Sequence, residues 1–282
     1  MEKVLIVGST GYLGSHAVKA FKEKGYYVRA LARDKVKLDP VKSYIDDIFE
    51  GHVTQPETLK GVCDGIDYVF SSLGITRQPG NETYMDVDYG GNKNILDLCI
   101  QASVKKFIFT SVFNPHDKND ILIFQAKEKF VEELKNSGID YAVMRPTAFF
   151  SDMGELFKMG QKGKITLIGD GQTKSNPIDG YDLAGICVDA INSKEKDIPV
   201  GGPEIYTQQE AAELIFSILG TPPKISRIPL FIVRAVAAVV LPFLGTRKRG
   251  GLEFLLTVFM NDFVAPCYEG KSMKDYFIEL KA

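Results

Sequence analysis

The sequence predicts an α/β protein built on a doubly wound parallel sheet, with a smaller C-terminal substrate or lid lobe. Three observations predict it. Short β-rich runs alternate with helical stretches as far as Arg145, a glycine loop, GSTGYLG, joins the first run to the first helix, and the alternation stops at Pro146.

Taken in order, the strands read VLIV (4–7), YVRALA (27–32), DIFEG (47–51), YVFSS (68–72), KFIFTS (106–111) and YAVMR (141–145). Helical patterns lie near 12–24, 56–61, 83–102 and 121–136. This spacing fits βαβ units whose ligands sit at the carboxyl ends of the strands, so residues 1–150 read as a dinucleotide-binding domain. Residues 151–282 read as the smaller lobe, partly interwoven with the first. It holds the run ITLIG, a turn at GDG and helices near 181–192 and 207–219, and Thr207 with Glu210 forms a capping box for the second helix. No internal repeat or low-complexity tract is visible.

At 282 residues, with 45% hydrophobic and 25% charged residues, the chain can build a large core. A net charge of -2 gives no electrostatic reason to expect a nucleic-acid partner. Cys63, Cys99, Cys187 and Cys267 are far apart and have no histidines at zinc-ligand spacing, so free thiols and no metal are expected. Glycines break the first apolar run within eight residues, unlike a signal peptide, and a cytoplasmic protein is expected. The one membrane-like stretch runs from Ile228 to Gly245, carries Arg234 and is bounded by Pro229 and Pro242. A helix between those prolines is roughly 18 Å long against about 30 Å of hydrocarbon, too short to span. The stretch (228–245) is either a buried helix, which could cover a substrate, or one that docks on a membrane or a protein.

Gly8, Gly11 and Gly14 follow a strand and open a helix, the context that makes a glycine pattern informative. Gly8 permits the turn, Gly11 lets backbone approach a pyrophosphate, and Gly14 lets the helix pack on the sheet. The amides of the loop and first turn, Gly8, Ser9, Thr10, Gly11, Tyr12 and Leu13, then face the phosphates. An acidic residue ending the second strand holds a free ribose 2′-hydroxyl; here Arg33 stands there and suits a 2′-phosphate, with Thr10 adding a hydroxyl. NADPH is the expected cofactor. The alternative is a solvated surface arginine followed by Asp34.

In ILIFQAKEKFVEEL (121–134), Ile123, Phe124, Lys127, Phe130, Val131 and Leu134 fall within a sector of roughly 120°. Lys127 on this apolar face either snorkels to the surface or projects into a cleft where its charge is used. Pro146 to Phe150 follow the sixth strand, and Phe149 with Phe150 either wall an apolar substrate or pack in the core. Asp179 and Asp182 read as helix caps.

VLIVGSTGYLG, VRALAR, YVFSSLG, KFIFTSV, FQAKEKFVEELKNSGIDYAVMRPTAFF, IGDGQTKSNPIDGYDLA and VGGPEIYTQQE together resemble the short-chain dehydrogenase/reductase superfamily, an NAD(P)-binding Rossmann family, in its atypical, extended-like branch. FQAKEKF, RPTAFF, GDG and VGGPE look most like the NADPH-dependent divinyl chlorophyllide 8-vinyl reductases. The resemblance implies that Lys127 matches the lysine of the superfamily's Tyr-x-x-x-Lys, binding the nicotinamide ribose, and that Ser111 occupies the serine position, where it either acts in catalysis by orienting a substrate carbonyl or hydrogen-bonds the turn before Asn114-Pro115. Ile123 replaces the tyrosine, so the usual acid is missing. It also implies cofactor contacts from Ser72, Leu73, Gly74 and Pro146, with His52 standing where an acidic adenine contact is common and Val53 supplying it instead. His16 and His116 read as helix-surface and loop residues. The expectation is an NADPH-dependent reductase acting on a small apolar or conjugated substrate, such as a tetrapyrrole vinyl group, a quinone or a flavin. The rival is a subunit that binds NADP(H) without turning it over.

Overall fold

The computed structural model describes residues 1–75, 82–114 and 121–282, and for 246–248 the backbone alone. His116 lies outside the described residues. The chain divides into two compact units, Met1–Val112 with Lys118–Arg145 and Gly180–Ile198, and Phe113–Asp117 with Pro146–Asp179 and Pro199–Ala282.

The strands β1 (Lys3–Val7), β2 (Tyr27–Ala32), β3 (Asp47–Glu50), β4 (Tyr68–Ser71), β5 (Lys106–Thr110), β6 (Asp140–Pro146) and β9 (Asp197–Val200) form one sheet in the order β3-β2-β1-β4-β5-β6-β9. Its registered pairs are parallel, including Val7 opposite Ser71. This is the Rossmann arrangement. The winding reverses between β1 and β4, the place where such sheets open a crevice beyond their strand ends. The four residues before Gly8 are wholly buried, as a central strand covered on both faces requires.

Helices α1 (Tyr12–Glu23), α2 (Asn92–Gln101), α3 (Leu122–Asn136) and α5 (Gly180–Asp189) belong to the first unit. The helix expected over 83–102 is two pieces, a π-helical turn, Met85–Gly91, running into α2. At Gly91 a Cβ would come within 3.0 Å of both Leu73 and Val53, so the chain hugs the loops after β3 and β4 there. The expected helix at 56–61 is a short 3-10 turn, Pro56–Leu59.

The second unit holds α4 (Phe150–Gln161), β7 (Ile165–Ile168), β8 (Lys174–Ser175), β10 (Tyr206–Thr207), α6 (Gln208–Leu219), β11 (Ile225–Ile228), α7 (Leu230–Val240), α8 (Thr246–Met260) and α9 (Met273–Lys281). Its core joins Phe150, Phe157, Ile215, Phe216 and Phe277. The capping box forms as read: Thr207 Oγ1 accepts from the Glu210 amide at 3.1 Å, and the Glu210 carboxylate accepts from the Thr207 amide at 2.8 Å.

Along the chain, Pro146–Asp179 groups with the second unit and the stretch Gly180–Ile198 with the first. Small residues allow it. A Cβ at Gly180 would meet His16 at 2.6 Å and Tyr12 at 2.7 Å, and the Gly180 amide donates to the Tyr12 hydroxyl at 3.1 Å, locking the start of α5 against α1. Asp182 falls in the first turn of α5, where a carboxylate faces the helix's positive end.

Candidate functional site

Beyond the ends of β1 and β4 lies a groove lined by Gly8, Thr10, Gly11, Arg33, His52, Val53, Ser72, Leu73 and Gly74, with Glu82 and Val87. Its floor is backbone. Gly8 has φ +82, and a Cβ there would crowd Ser72 and Leu73 at 3.1 Å. At Gly14 a Cβ would lie 2.0 Å from the Gly8 carbonyl oxygen, so only glycine lets α1 start this close to the loop. Gly11 is the α1 N-cap and no side chain caps it, so the first-turn amides are not claimed by a capping side chain. A Cβ-free cradle ending on a helix N-terminus fits a pyrophosphate.

The loop's side chains do different work from its amides. Ser9 is wholly buried and its hydroxyl donates to the Leu31 carbonyl at 2.7 Å, Leu13 is a core residue, and the Tyr12 hydroxyl holds α5. These three can serve a ligand through backbone alone.

At the other end of the groove stands Arg33, half exposed, 3.6 Å from the Glu82 carboxylate and 3.4 Å from His52 Nε2. Asp34 turns away and accepts from the Val36 amide at 3.0 Å, capping the next turn. Thr54 Oγ1 donates to Glu82 at 2.9 Å. Sequence reasoning missed Glu82, which is 49 positions away from Arg33 in a segment without periodic pattern. Val53 is buried; its side chain lines the groove and its carbonyl accepts from Asn94 at 2.8 Å.

Lys127 does not snorkel. It is 8% exposed, with Nζ 3.1 Å from Asp88 Oδ1 and 5.3 Å from the centre of the Phe109 ring. Asp88 is wholly buried on the π-helical turn; its other oxygen accepts from the Ile75 amide at 3.0 Å. Burial pushes the Asp88 carboxyl above the ordinary aspartate range, with the Lys127 charge opposing that rise. Gly74 makes room for the pair, since a Cβ would lie 2.7 Å from Asp88 Oδ1 and 2.9 Å from Lys127 Nζ. Gly74 also lines the groove, so the pair lies next to a groove-lining residue. Behind it, Asn92 donates to the Asp88 carbonyl at 2.7 Å and accepts from the Ser71 hydroxyl at 2.6 Å. Asp88 and Asn92, four apart, fall on one face of a helix, a spacing too common to mark a buried network by itself.

The Ser111 hydroxyl donates to Glu128 at 3.1 Å, inside a network in which Arg145 binds Glu128 at 2.5 and 2.9 Å and Asp197 at 2.6 Å. Of the two readings of Ser111, substrate orientation or a hydrogen bond to its surroundings, these contacts support the second. Ile123 is buried, so no phenol stands at the superfamily's tyrosine position.

In the second unit, Pro146 is buried, and Phe150 is 1% exposed, its ring 5.2 Å from that of Tyr276. Of the two readings of Phe150, substrate wall or core, its burial supports core. Phe149 is half-buried at the N-cap of α4. A cavity of about 490 Å3 in this unit, the size of a small-molecule pocket, is lined by Ile168, Thr173, Leu230, Phe259 and Met260 and edged by Asp170 and Arg227. Among the described residues no cluster of histidine, cysteine or carboxylates could hold a metal, and all four cysteines are free.

The model of a family described as NAD(P)H-binding matches residues 8–194, the span that contains the whole groove. The chain belongs to that NAD(P)H-binding family. The matched span is thus an NAD(P)H-binding domain on an oxidoreductase-type fold. Among the relatives of this family member, the divinyl chlorophyllide a 8-vinyl-reductase, chloroplastic, of Arabidopsis thaliana is 32% identical over 263 residues, which are 84% of this chain and 62% of the relative. The chain spans about six tenths of the length of that reductase. A photosystem II assembly factor, Ycf39, of Trieres chinensis is 27% identical over 240 residues, 84% of this chain and 75% of the relative. A solved structure, AtPrR2 with NADP+ and (+)pinoresinol, shares the fold at a TM-score of 0.76 and 18% identity, over 99% of this chain and 98% of that one.

Proposed function

We propose that this protein is an NADPH-dependent reductase that acts on an apolar, conjugated substrate. The observation that carries the reading is the buried Lys127–Asp88 pair beside the groove-lining Gly74, with Lys127 on a helix whose tyrosine position is Ile123. When bound, NADPH supplies a hydride. The chain's part is to hold the ribose with Lys127, the pyrophosphate with the amides from Gly8 to Leu13, and the 2′-phosphate with Arg33. Reduction of a carbon-carbon double bond also consumes a proton, and Ile123 stands where the superfamily's phenol would give it. The Lys127 ammonium, replenished from water, is the donor we assign, with the Asp88 carboxylate fixing Nζ in place. The resemblance to the Arabidopsis reductase supports a tetrapyrrole 8-vinyl group as substrate.

The test follows NADPH oxidation by absorbance against divinyl tetrapyrroles, quinones, flavins and enones. Turnover of one class that Lys127→Met abolishes supports the reading. Silence across the panel with tight NADPH binding retained favours the second reading, a subunit that binds NADP(H) without turnover. That second reading is favoured by the exposed apolar α7 and by the relative that is an assembly factor.

A further inference from the structure

The helix α7 has no buried residue. Phe231 is 72% exposed at its start, and Phe243 is 86% exposed in the turn after its end, with Ile232, Val236, Val239 and Val240 exposed between them. At about 100° per residue, Phe231, Val239, Ile232, Val236 and Val240 spread over roughly 180° of the helix. A helix on a water-facing surface buries its apolar stripe; here that stripe is the outer face. A protein groove covers a stripe of about 100°. An arc this wide, with a phenylalanine at either end, suits a medium that closes around the helix.

Charge narrows the choice. Between Glu213 and Glu253 there is no acidic residue, whereas Lys224, Arg227, Arg234, Arg247, Lys248 and Arg249 give six positive charges in a chain whose net charge is -2. Arg249 is paired with Glu253 at 2.7 Å, and Arg227 bonds the Asp170 carbonyl and Gln209. Arg234 sits on the exposed apolar helix itself. Two copies of this face would repel one another, while an anionic surface attracts it. With 11 residues, α7 is about 17 Å long against about 30 Å of hydrocarbon, and no described helix is long and apolar enough to cross a membrane. Pro229 and Pro242 bound the apolar run at either end.

We propose that the segment from Pro229 to Arg249 is a monotopic docking device for an anionic lipid bilayer. The α7 helix lies in the headgroup boundary, Phe231 and Phe243 enter the acyl region, and Arg234 meets lipid phosphates. This does not depend on the reductase reading.

The full chain is sedimented with vesicles of phosphatidylcholine, alone or with about a third of phosphatidylglycerol as the anionic lipid. The wild type pellets with the anionic vesicles and progressively less as salt rises. Joint substitution Phe231→Ser and Phe243→Ser lowers partitioning about 30-fold or more on either vesicle. Arg234→Gln lowers it about fivefold on anionic vesicles and leaves the neutral ones unchanged. Both variants keep the wild-type melting temperature, which shows the fold intact. Failure of the wild type to pellet with anionic vesicles overturns the proposal, as does equal binding by the double variant. A wild-type dimer in sedimentation velocity that the double variant dissolves also overturns it, because the face would then be a protein contact.

Discussion

Arg33 and Glu82 form the most exposed charged contact in the groove, and they pull in opposite directions on a 2′-phosphate. The guanidinium supplies two parallel donors to a phosphate, while the carboxylate 3.6 Å away repels it. Arg33→Ala is expected to weaken NADPH by about tenfold or more and leave NADH nearly unchanged, since a hydrogen bond to a charged group contributes about 1.5–3 kcal/mol. Glu82→Gln is expected to tighten NADPH. Calorimetric titration of both cofactors checks the pair, and equal affinities in the wild type would remove the 2′-phosphate assignment. Asp88 and Lys127 make the second residue-level case. Leaving a buried ammonium without its carboxylate costs about 3 kcal/mol, whereas removing both charges costs far less. Asp88→Ala should therefore lower the unfolding free energy by about 3 kcal/mol, and adding Lys127→Met should recover most of it. Denaturant curves for the four proteins test this; a double variant that loses the sum of the singles means the two groups do not interact. Lys127 was legible because its helix pattern singled it out, whereas Asp88 sat in a stretch where nothing distinguishes an aspartate facing the core from one facing water.

Among the elements, the β1–α1 junction is the most tightly specified. The distance of 2.0 Å from a Gly14 Cβ to the Gly8 carbonyl oxygen leaves no way to relax without moving backbone. Gly14→Ala is expected to lose detectable NADPH binding and to melt well below the wild type, whereas Gly25→Ala, where nothing lies within 4 Å but φ is +87, should cost only about 1 kcal/mol and leave cofactor affinity unchanged. Differential scanning calorimetry with and without NADPH separates the two. This junction and the strands could be read from sequence because strand, turn and helix follow one another locally. The π-helical turn could not, because its extra residue per turn answers to the close approach of Gly91 to Leu73 and Val53, residues from two other loops. For α7 the sequence marked the apolar run but left open whether a core or a surface receives it.

For the molecule as a whole, stability against acid follows from its paired carboxylates. Hydrogen bonds from Lys105 and from the Lys3 amide hold Asp67 below the ordinary aspartate range, and Thr83 does the same for Asp86. A lowered folded value means their contribution is present above the unfolded pKa and is lost as pH falls through the folded one. Asp88, raised by burial, has the opposite sign: its contribution is present below the unfolded value and lost as pH rises through the folded one. The melting temperature should drop between pH about 5 and about 3, and Asp67→Asn should flatten that drop. A melting temperature that stays level over this interval would count against the Asp67 pairings.

The amino-acid order alone determined the doubly wound sheet, the glycine cradle, Arg33 at the end of β2, and Lys127 on an apolar helix face. All of these depend on periodicity or on neighbours a few residues apart, which local sterics and hydrophobic patterning encode. The three-dimensional fold decided that Lys127 is buried against Asp88, that Glu82 faces Arg33, that the Ser111 hydroxyl belongs to the Glu128–Arg145 ion pair, that Phe150 is core and that α7 is exposed. Each of these joins or separates groups distant along the chain. Such contacts come from packing and from the cost of burying charge, and no short window of sequence contains both partners.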